Sequence, residues 1–141
     1  MGEALAGRAL SSYVLDANVL VANSLAADAW SHYDRHRCVS PCLAQSEALN
    51  ALREAVWRGE LDAAEGRAAV GRLAACPVEF RRITSLESVW GTSERLGWAK
   101  TYDAEYIALA TELSCALVTL DGRLHRGAAH LVEIVSPAEL G

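Results

Sequence analysis

Two short apolar runs in this chain stop on the same residue type: Ser12-Tyr13-Val14-Leu15 ends at Asp16, and Ala116 to Leu120 ends at Asp121. Runs this short and this apolar suit buried strands. The chain between them alternates strand-like runs with longer segments of helical spacing. That alternation predicts an α/β fold with a central parallel sheet flanked by helices, because parallel strands must be joined by crossovers, usually helical.

After Asp16-Ala17-Asn18 an Ala-rich helix is expected to about Ala29, continued or restarted from Trp30 to Arg37. Cys38-Val39-Ser40 reads as a brief strand closed by Pro41. Residues 42–58 form the clearest helix, with Leu49, Leu52 and Val56 on one face. Pro41 precedes it and Gly59 follows it, the usual punctuation. Asp62 can cap a second helix to about Ala75, which Gly66 and Gly71 weaken. The pair at 42–75 interrupts the strand pattern and is expected to form a helical arm. Val78 to Ile83 is a strand. A helix capped by Thr84 or Ser85 then runs to Leu96, and Thr101 to Ser114 is another, with Tyr106, Leu109 and Leu113 on one face. Gly122 permits a sharp turn, and Val132 to Val135 is the last strand, closed by Pro137. The chain has 141 residues, of which 52% are hydrophobic, which fits one domain over 1–141 with its core at about 12–136. Aromatics are only 6%, so Ala, Leu and Val must fill most of the core.

Ligands of an open parallel sheet bind beyond the carboxyl ends of its strands. If the strands ending at Asp16 and Asp121 are neighbours, their carboxylates converge there. Asp103 opens the preceding helix, and helices in such units start at that same edge. Glu47 lies one turn into the helix at 42–58 among Leu43, Ala44, Ala48 and Ala51, where a buried carboxylate needs a partner. A bound cation would be one; a solvated helix face is the plainer account. Asp16 and Asp103 each also suit helix caps. Four crowded carboxylates offer hard oxygen ligands suited to Mg²⁺ or Mn²⁺. Such a site can activate water and hold a phosphodiester for in-line attack.

The residues at these positions carry a resemblance. Val14-Leu15-Asp16-Ala17-Asn18-Val19-Leu20, Ser46-Glu47-Ala48-Leu49-Asn50, Tyr102-Asp103-Ala104-Glu105-Tyr106-Ile107-Ala108-Leu109-Ala110 and Leu117-Val118-Thr119-Leu120-Asp121-Gly122-Arg123-Leu124 resemble, in order and spacing, the four acidic motifs of PIN domains. The likeness is greatest to the VapC-like toxins of type II (VapBC) toxin–antitoxin pairs. It implies about five parallel strands and a Mg²⁺- or Mn²⁺-dependent endoribonuclease. It also implies a homodimer and a small antitoxin whose tail occupies the active-site groove. Asp16, Glu47, Asp103 and Asp121 become the catalytic metal ligands, with Asn18 and Thr119 as polar support. The further acidic residue common after the fourth motif is absent from Gly122-Arg123-Leu124-His125-Arg126. The alternatives are a non-catalytic PIN-like binding module and a phosphatase or phosphoacceptor domain. Asp16-Ala17-Asn18 lacks the second Asp of haloacid-dehalogenase-like phosphatases.

The net charge of −5, from 13 basic and 18 acidic residues, speaks against a nucleic-acid partner unless the carboxylates gather around cations. Arg123, Arg126 and Lys100 are candidate phosphate contacts, against an ordinary solvated turn. His32, His36, Cys38 and Cys42 invite a zinc site, but Pro41 and a strand end stand between the two cysteines. No CxxC pair joins Cys38, Cys42, Cys76 and Cys115, and Cys115 reads as a buried thiol. Trp57, Trp90 and Trp98 suit base stacking or, more often, packing; Trp57 suits a dimer or antitoxin contact. The opening residues lack the basic and apolar regions of a signal peptide, which together with the cysteine pattern suggests a reducing, cytoplasmic setting.

Overall fold

The structure is a computed structural model and describes residues 11–140. Strand β1 (Ser11–Leu15) leads into α1 (Ala17–Ser24), β2 (His36–Pro41), α2 (Leu43–Trp57) and α3 (Ala63–Ala74). Then follow β3 (Val78–Arg81), α4 (Leu86–Leu96), α5 (Tyr102–Leu113), β4 (Ala116–Val118), α6 (Gly122–Ala128) and β5 (Ile134–Val135). Short 3-10 turns lie at Ala29–Tyr33 and Pro137–Leu140. All five strands pair in parallel, in the order β3-β2-β1-β4-β5. The chain therefore winds outward from β1 to β3, then crosses over to β4 and β5. The winding reverses between β1 and β4, where Leu15 pairs with Val118. That reversal point opens a crevice at the carboxyl ends of the strands.

The central strands are covered on both faces, which explains their unbroken apolar runs. Val14, Leu15, Val39, Leu117 and Val118 are completely buried, and the helices add Val19, Leu20, Ile107 and Leu124. Aliphatic side chains dominate this core as the composition requires; Tyr106 is its largest fully buried member.

The helical pair expected at 42–75 is present as α2 and α3. Asp62 and Glu65 start α3 with a reciprocal capping box: Asp62 Oδ1 accepts the Glu65 N–H at 2.7 Å, and Glu65 Oε1 accepts the Asp62 N–H at 3.0 Å. The pair is laid against α1: Ala69 and Leu73 are buried, and Arg72 Nε donates to the Ser24 carbonyl at 2.6 Å. Its outer end carries Trp57, 81% exposed.

Several element boundaries differ from expectation. Helix α1 stops at Ser24, and β2 begins at His36 and runs through Pro41. Pro41 is tolerated as a strand's last residue, and the ladder is extended by the Cys42 N–H, which donates to the Arg81 carbonyl at 2.9 Å. Strand β3 ends at Arg81 rather than Ile83, and β5 is only two residues long. Helix α6 was not expected at all. It has seven residues, two of them glycine, too short for periodicity to show; the Asp121 side chain starts it by capping.

All four cysteines are free thiols: Cys38 is buried, Cys42 exposed, and Cys76 and Cys115 half-buried, so Cys115 is less enclosed than expected. His36 meets the ring of Tyr13 edge-on, with centroids 5.0 Å apart, and His32, His36, Cys38 and Cys42 form no metal-binding group. Among the described residues no helix is long and apolar enough to cross a membrane. The expectation about a signal peptide rests largely on residues 1–10, which lie outside the described residues.

Candidate acidic site at the sheet switch point

Asp16 follows directly on β1 and is 8% exposed. Its backbone N–H donates to the Val118 carbonyl at 3.0 Å, which ties the exit of β1 to that of β4. Each of its carboxylate oxygens has a defined partner. Oδ1 accepts the Ala17 N–H at 2.7 Å and so caps α1. Oδ2 accepts the Thr119 hydroxyl at 2.7 Å and the Asn18 amide at 3.3 Å. Capping and site membership coincide in this residue.

Asn18 and Thr119 extend these contacts. The Asn18 amide also reaches Thr119 Oγ1 at 3.4 Å, and its oxygen accepts the Leu120 N–H at 3.2 Å. Thr119 Oγ1 in turn accepts the Asp121 N–H at 3.0 Å. One network therefore locks the two strand exits together. Asp121 uses Oδ1 to accept the N–H groups of Arg123 and Leu124, at 2.9 and 3.4 Å, at the start of α6. Its Oδ2 accepts from Arg123 Nη2 at 3.4 Å.

Asp103 lies in the first turn of α5, where its charge suits the positive end of the helix. It is not the cap residue, which is Thr101. Its Oδ2 accepts from Arg123 Nη2 at 2.7 Å, and the same nitrogen lies 3.4 Å from Asp121 Oδ2. Glu47 is half-buried on α2, and its Oε1 accepts the phenolic hydroxyl of Tyr106 at 2.5 Å. The carboxylate on the apolar helix stretch thus has a specific donor rather than a purely solvated face.

Burial pushes the Asp16 carboxyl up to about 6 from an ordinary 3.8, and the charges of Asp103 and Glu47 push it further in the same direction. The hydrogen bonds from Thr119 and Ala17 oppose the rise. Glu105 is also raised, by burial and then by Glu47. Tyr106 is raised by burial and by its bond to Glu47, so the phenol stays protonated and donates.

Glu47 and Asp103 each lie within electrostatic reach of Asp16, while Asp103 and Asp121 share one guanidinium. The four do not close into one cluster: among the described residues, no three Asp, Glu, His or Cys side chains are close enough to form a ready metal cage. Still, the donor set fits a hard divalent cation. It is all carboxylate oxygen, and its buried member bears an unfavourable charge that a cation would relieve.

Arg123 pairs with Asp103 and approaches Asp121. Arg126 and Lys100 are exposed. Two contributors were not singled out from the sequence as site residues. Tyr106 was assigned to the core face of its helix, and it is indeed buried; its position one turn after Asp103 was the available signal. Glu105, next to Ala104 in the same motif, borders Glu47. Trp98 carries the guanidinium of Arg123 at 4.9 Å from its ring centre, while Trp57 and Trp90 are exposed elsewhere.

Comparison with known proteins agrees with this architecture. A VapC ribonuclease of Mycobacterium bovis and ribonuclease VapC9 of Mycobacterium tuberculosis are each 40% identical to the chain over 85 residues. The match takes in 60% of this chain and 65% of each relative, so it spans just under two thirds of their length. The crystal structure of PAE2754 from Pyrobaculum aerophilum superposes with a TM-score of 0.72 at 26% identity, covering 93% of this chain and 94% of that one. The fold is shared with VapBC2 of Rickettsia felis, crystallised with a DNA fragment from its promoter, at a TM-score of 0.61, 9% identity, and 89% and 98% coverage. The PIN-domain family model matches residues 13–129, which take in every strand but the last and all four acidic positions: the chain belongs to the PIN-domain family.

Proposed function

We propose that this chain is a divalent-metal-dependent endoribonuclease, the toxin of a VapBC-type pair, folded as a single PIN domain. The observation that carries the reading is the setting of Asp16: a buried carboxylate at the switch point, braced by Asn18 and Thr119, with Glu47 and Asp103 near enough to raise its pKa. The 40% identity to VapC ribonucleases supports the substrate class.

In this reading Asp16, Glu47, Asp103 and Asp121 hold Mg²⁺ or Mn²⁺. The bound ion supplies a water of lowered pKa and polarises the phosphodiester. The chain's own contribution is placement. Thr119 and Asn18 fix Asp16, the first N–H groups of α6 fix Asp121, and the Tyr106 hydroxyl fixes Glu47. Arg126 and Lys100 are exposed donors for RNA phosphates. An antitoxin tail fits the groove between α2 and α3, about 1050 Å³, lined by Leu49, Val56 and Val70 and flanked by Arg53 and Arg67. Ser46 also lines it, next to Glu47. We place the homodimer and the cytoplasmic setting in the same proposal.

The test is cleavage of labelled single-stranded RNAs by purified protein in Mg²⁺, Mn²⁺ or EDTA. Cutting should need metal and vanish in Asp16→Ala and Asp121→Ala. Folded, antitoxin-free protein that cuts nothing in a broad RNA pool would favour a binding module instead.

Tyr106→Phe should keep the fold and lose the donor to Glu47. A hydrogen bond to a charged group is worth about 1.5–3 kcal/mol, so half-saturating Mg²⁺ for cleavage should rise about tenfold or more. Thermal unfolding should move by only a few degrees, since the ring stays packed. An unchanged Mg²⁺ requirement would show that Tyr106 is core and nothing more.

A further inference from the structure

Arg123 is held from three sides. Its Nη2 lies 2.7 Å from Asp103 Oδ2 and 3.4 Å from Asp121 Oδ2, and its guanidinium stacks over Trp98 at 4.9 Å. Asp121 Oδ1 is occupied by the backbone of α6, and among the described residues Asp103 Oδ2 has no donor besides Arg123. The guanidinium is therefore shared by two carboxylates whose contacted oxygens no backbone N–H satisfies. The indole beneath it has a built seat. Gly127 is one helical turn after Arg123, and a Cβ there would come within 2.7 Å of Trp98 Cζ2. Only a glycine lets the ring lie flush on α6 beside the arginine.

We propose that Arg123 is an internal counter-ion that competes with the divalent cation for Asp103 and Asp121, with Trp98 as its resting place. The inference rests on the metal-site reading above. A cation that takes these two oxygens must displace the guanidinium, and by linkage the guanidinium must weaken the cation's apparent affinity. Metal loading then frees an arginine at the rim of the crevice. Exposed ion pairs and cation–π contacts are individually weak, so the competition sets an affinity near about tenfold rather than blocking binding.

The experiment is calorimetric Mg²⁺ titration of the full chain, without RNA, in parallel with tryptophan emission. Arg123→Ala should bind Mg²⁺ about tenfold tighter than wild type. Arg126→Ala removes an equal charge three residues along the same helix and should stay within about twofold, which separates competition from simple repulsion. Mg²⁺ should change the emission of wild type but not of Arg123→Ala, and the change should be absent in Trp98→Phe. Circular dichroism confirms that each variant is folded. The proposal is overturned if Arg123→Ala and wild type bind alike, if Arg126→Ala tightens equally, or if binding leaves Trp98 emission unchanged. Mg²⁺ binding by none of the proteins overturns the metal reading itself, and the inference with it.

Discussion

Asp16→Asn should make the metal-free protein more stable at pH 7 while sharply reducing the RNA cleavage proposed for it. The folded-state pKa of Asp16 is raised from 3.8 to about 6, a difference worth about 3 kcal/mol in favour of the protonated form. A carboxyl raised on folding contributes stability that is fully present below its unfolded pKa. That contribution is lost as pH rises through the folded value. Metal-free wild type should therefore lose stability between about pH 4 and pH 6 on account of this group. Asparagine carries no charge at any pH and remains a good helix cap for Ala17. It turns a donor toward Thr119, which sacrifices about 1 kcal/mol of hydrogen bonding. The expected net gain at pH 7 in EDTA is about 2 kcal/mol, or roughly 6–8 °C in unfolding midpoint. At pH 4 the order should reverse, with the variant slightly less stable. Cleavage should fall by about a hundredfold or more, because an amide is a poor ligand for a hard cation. Thermal melts at the two pH values decide the matter: an asparagine variant no more stable than wild type at pH 7 would mean that the Asp16 charge is not strained.

The second large effect lies away from the site, in α3. Gly66 and Gly71 both look like weak points in a helix, and each should gain about 1 kcal/mol on conversion to alanine by propensity alone. Their surroundings separate them. A Cβ on Gly71 meets nothing within 4 Å, whereas one on Gly66 would lie 2.5 Å from Val56 Cγ2 on α2. Gly71→Ala should therefore stabilise by about 1 kcal/mol. Gly66→Ala should destabilise by about 1–2 kcal/mol, since overpacking of about 1–3 kcal/mol outweighs the helical gain. Adding Val56→Ala should restore much of the loss, because the two positions touch and their effects cannot add independently. Urea unfolding of wild type, Gly66→Ala, Val56→Ala and the double variant measures this cycle, with Gly71→Ala alongside. Equal stabilisation by both glycine replacements would show that the helices can part freely.

Glycine at 66 illustrates a general division. The sequence alone determined the elements whose signals are local. The buried strand runs before Asp16 and Asp121, the cap at Asp62 and the cap at Thr84 or Ser85 are local facts, because a cap or a period acts within a few residues; the structure makes Ser85 the cap. The α/β alternation and the motif order followed from these, and they were enough to nominate Asp16, Glu47, Asp103 and Asp121 together. Helix α6 escaped because seven residues carry too little periodicity, and its stability comes from an aspartate that also faces the crevice.

Only the tertiary structure decided who touches whom. The pairing of β1 with β4 brings Thr119 onto Asp16 and Asn18, 103 and 101 residues away in sequence. The packing of α2 near α5 turns Tyr106 from a core residue into the donor for Glu47. The seat at Gly127 lets Trp98 hold Arg123 against Asp103 and Asp121. Apart from the local Arg123–Asp121 approach, these contacts join residues at least 20 apart along the chain, and a local pattern carries no information about such a distance. Periodicity determines which face a side chain occupies; the order in which strands pair determines what that face meets.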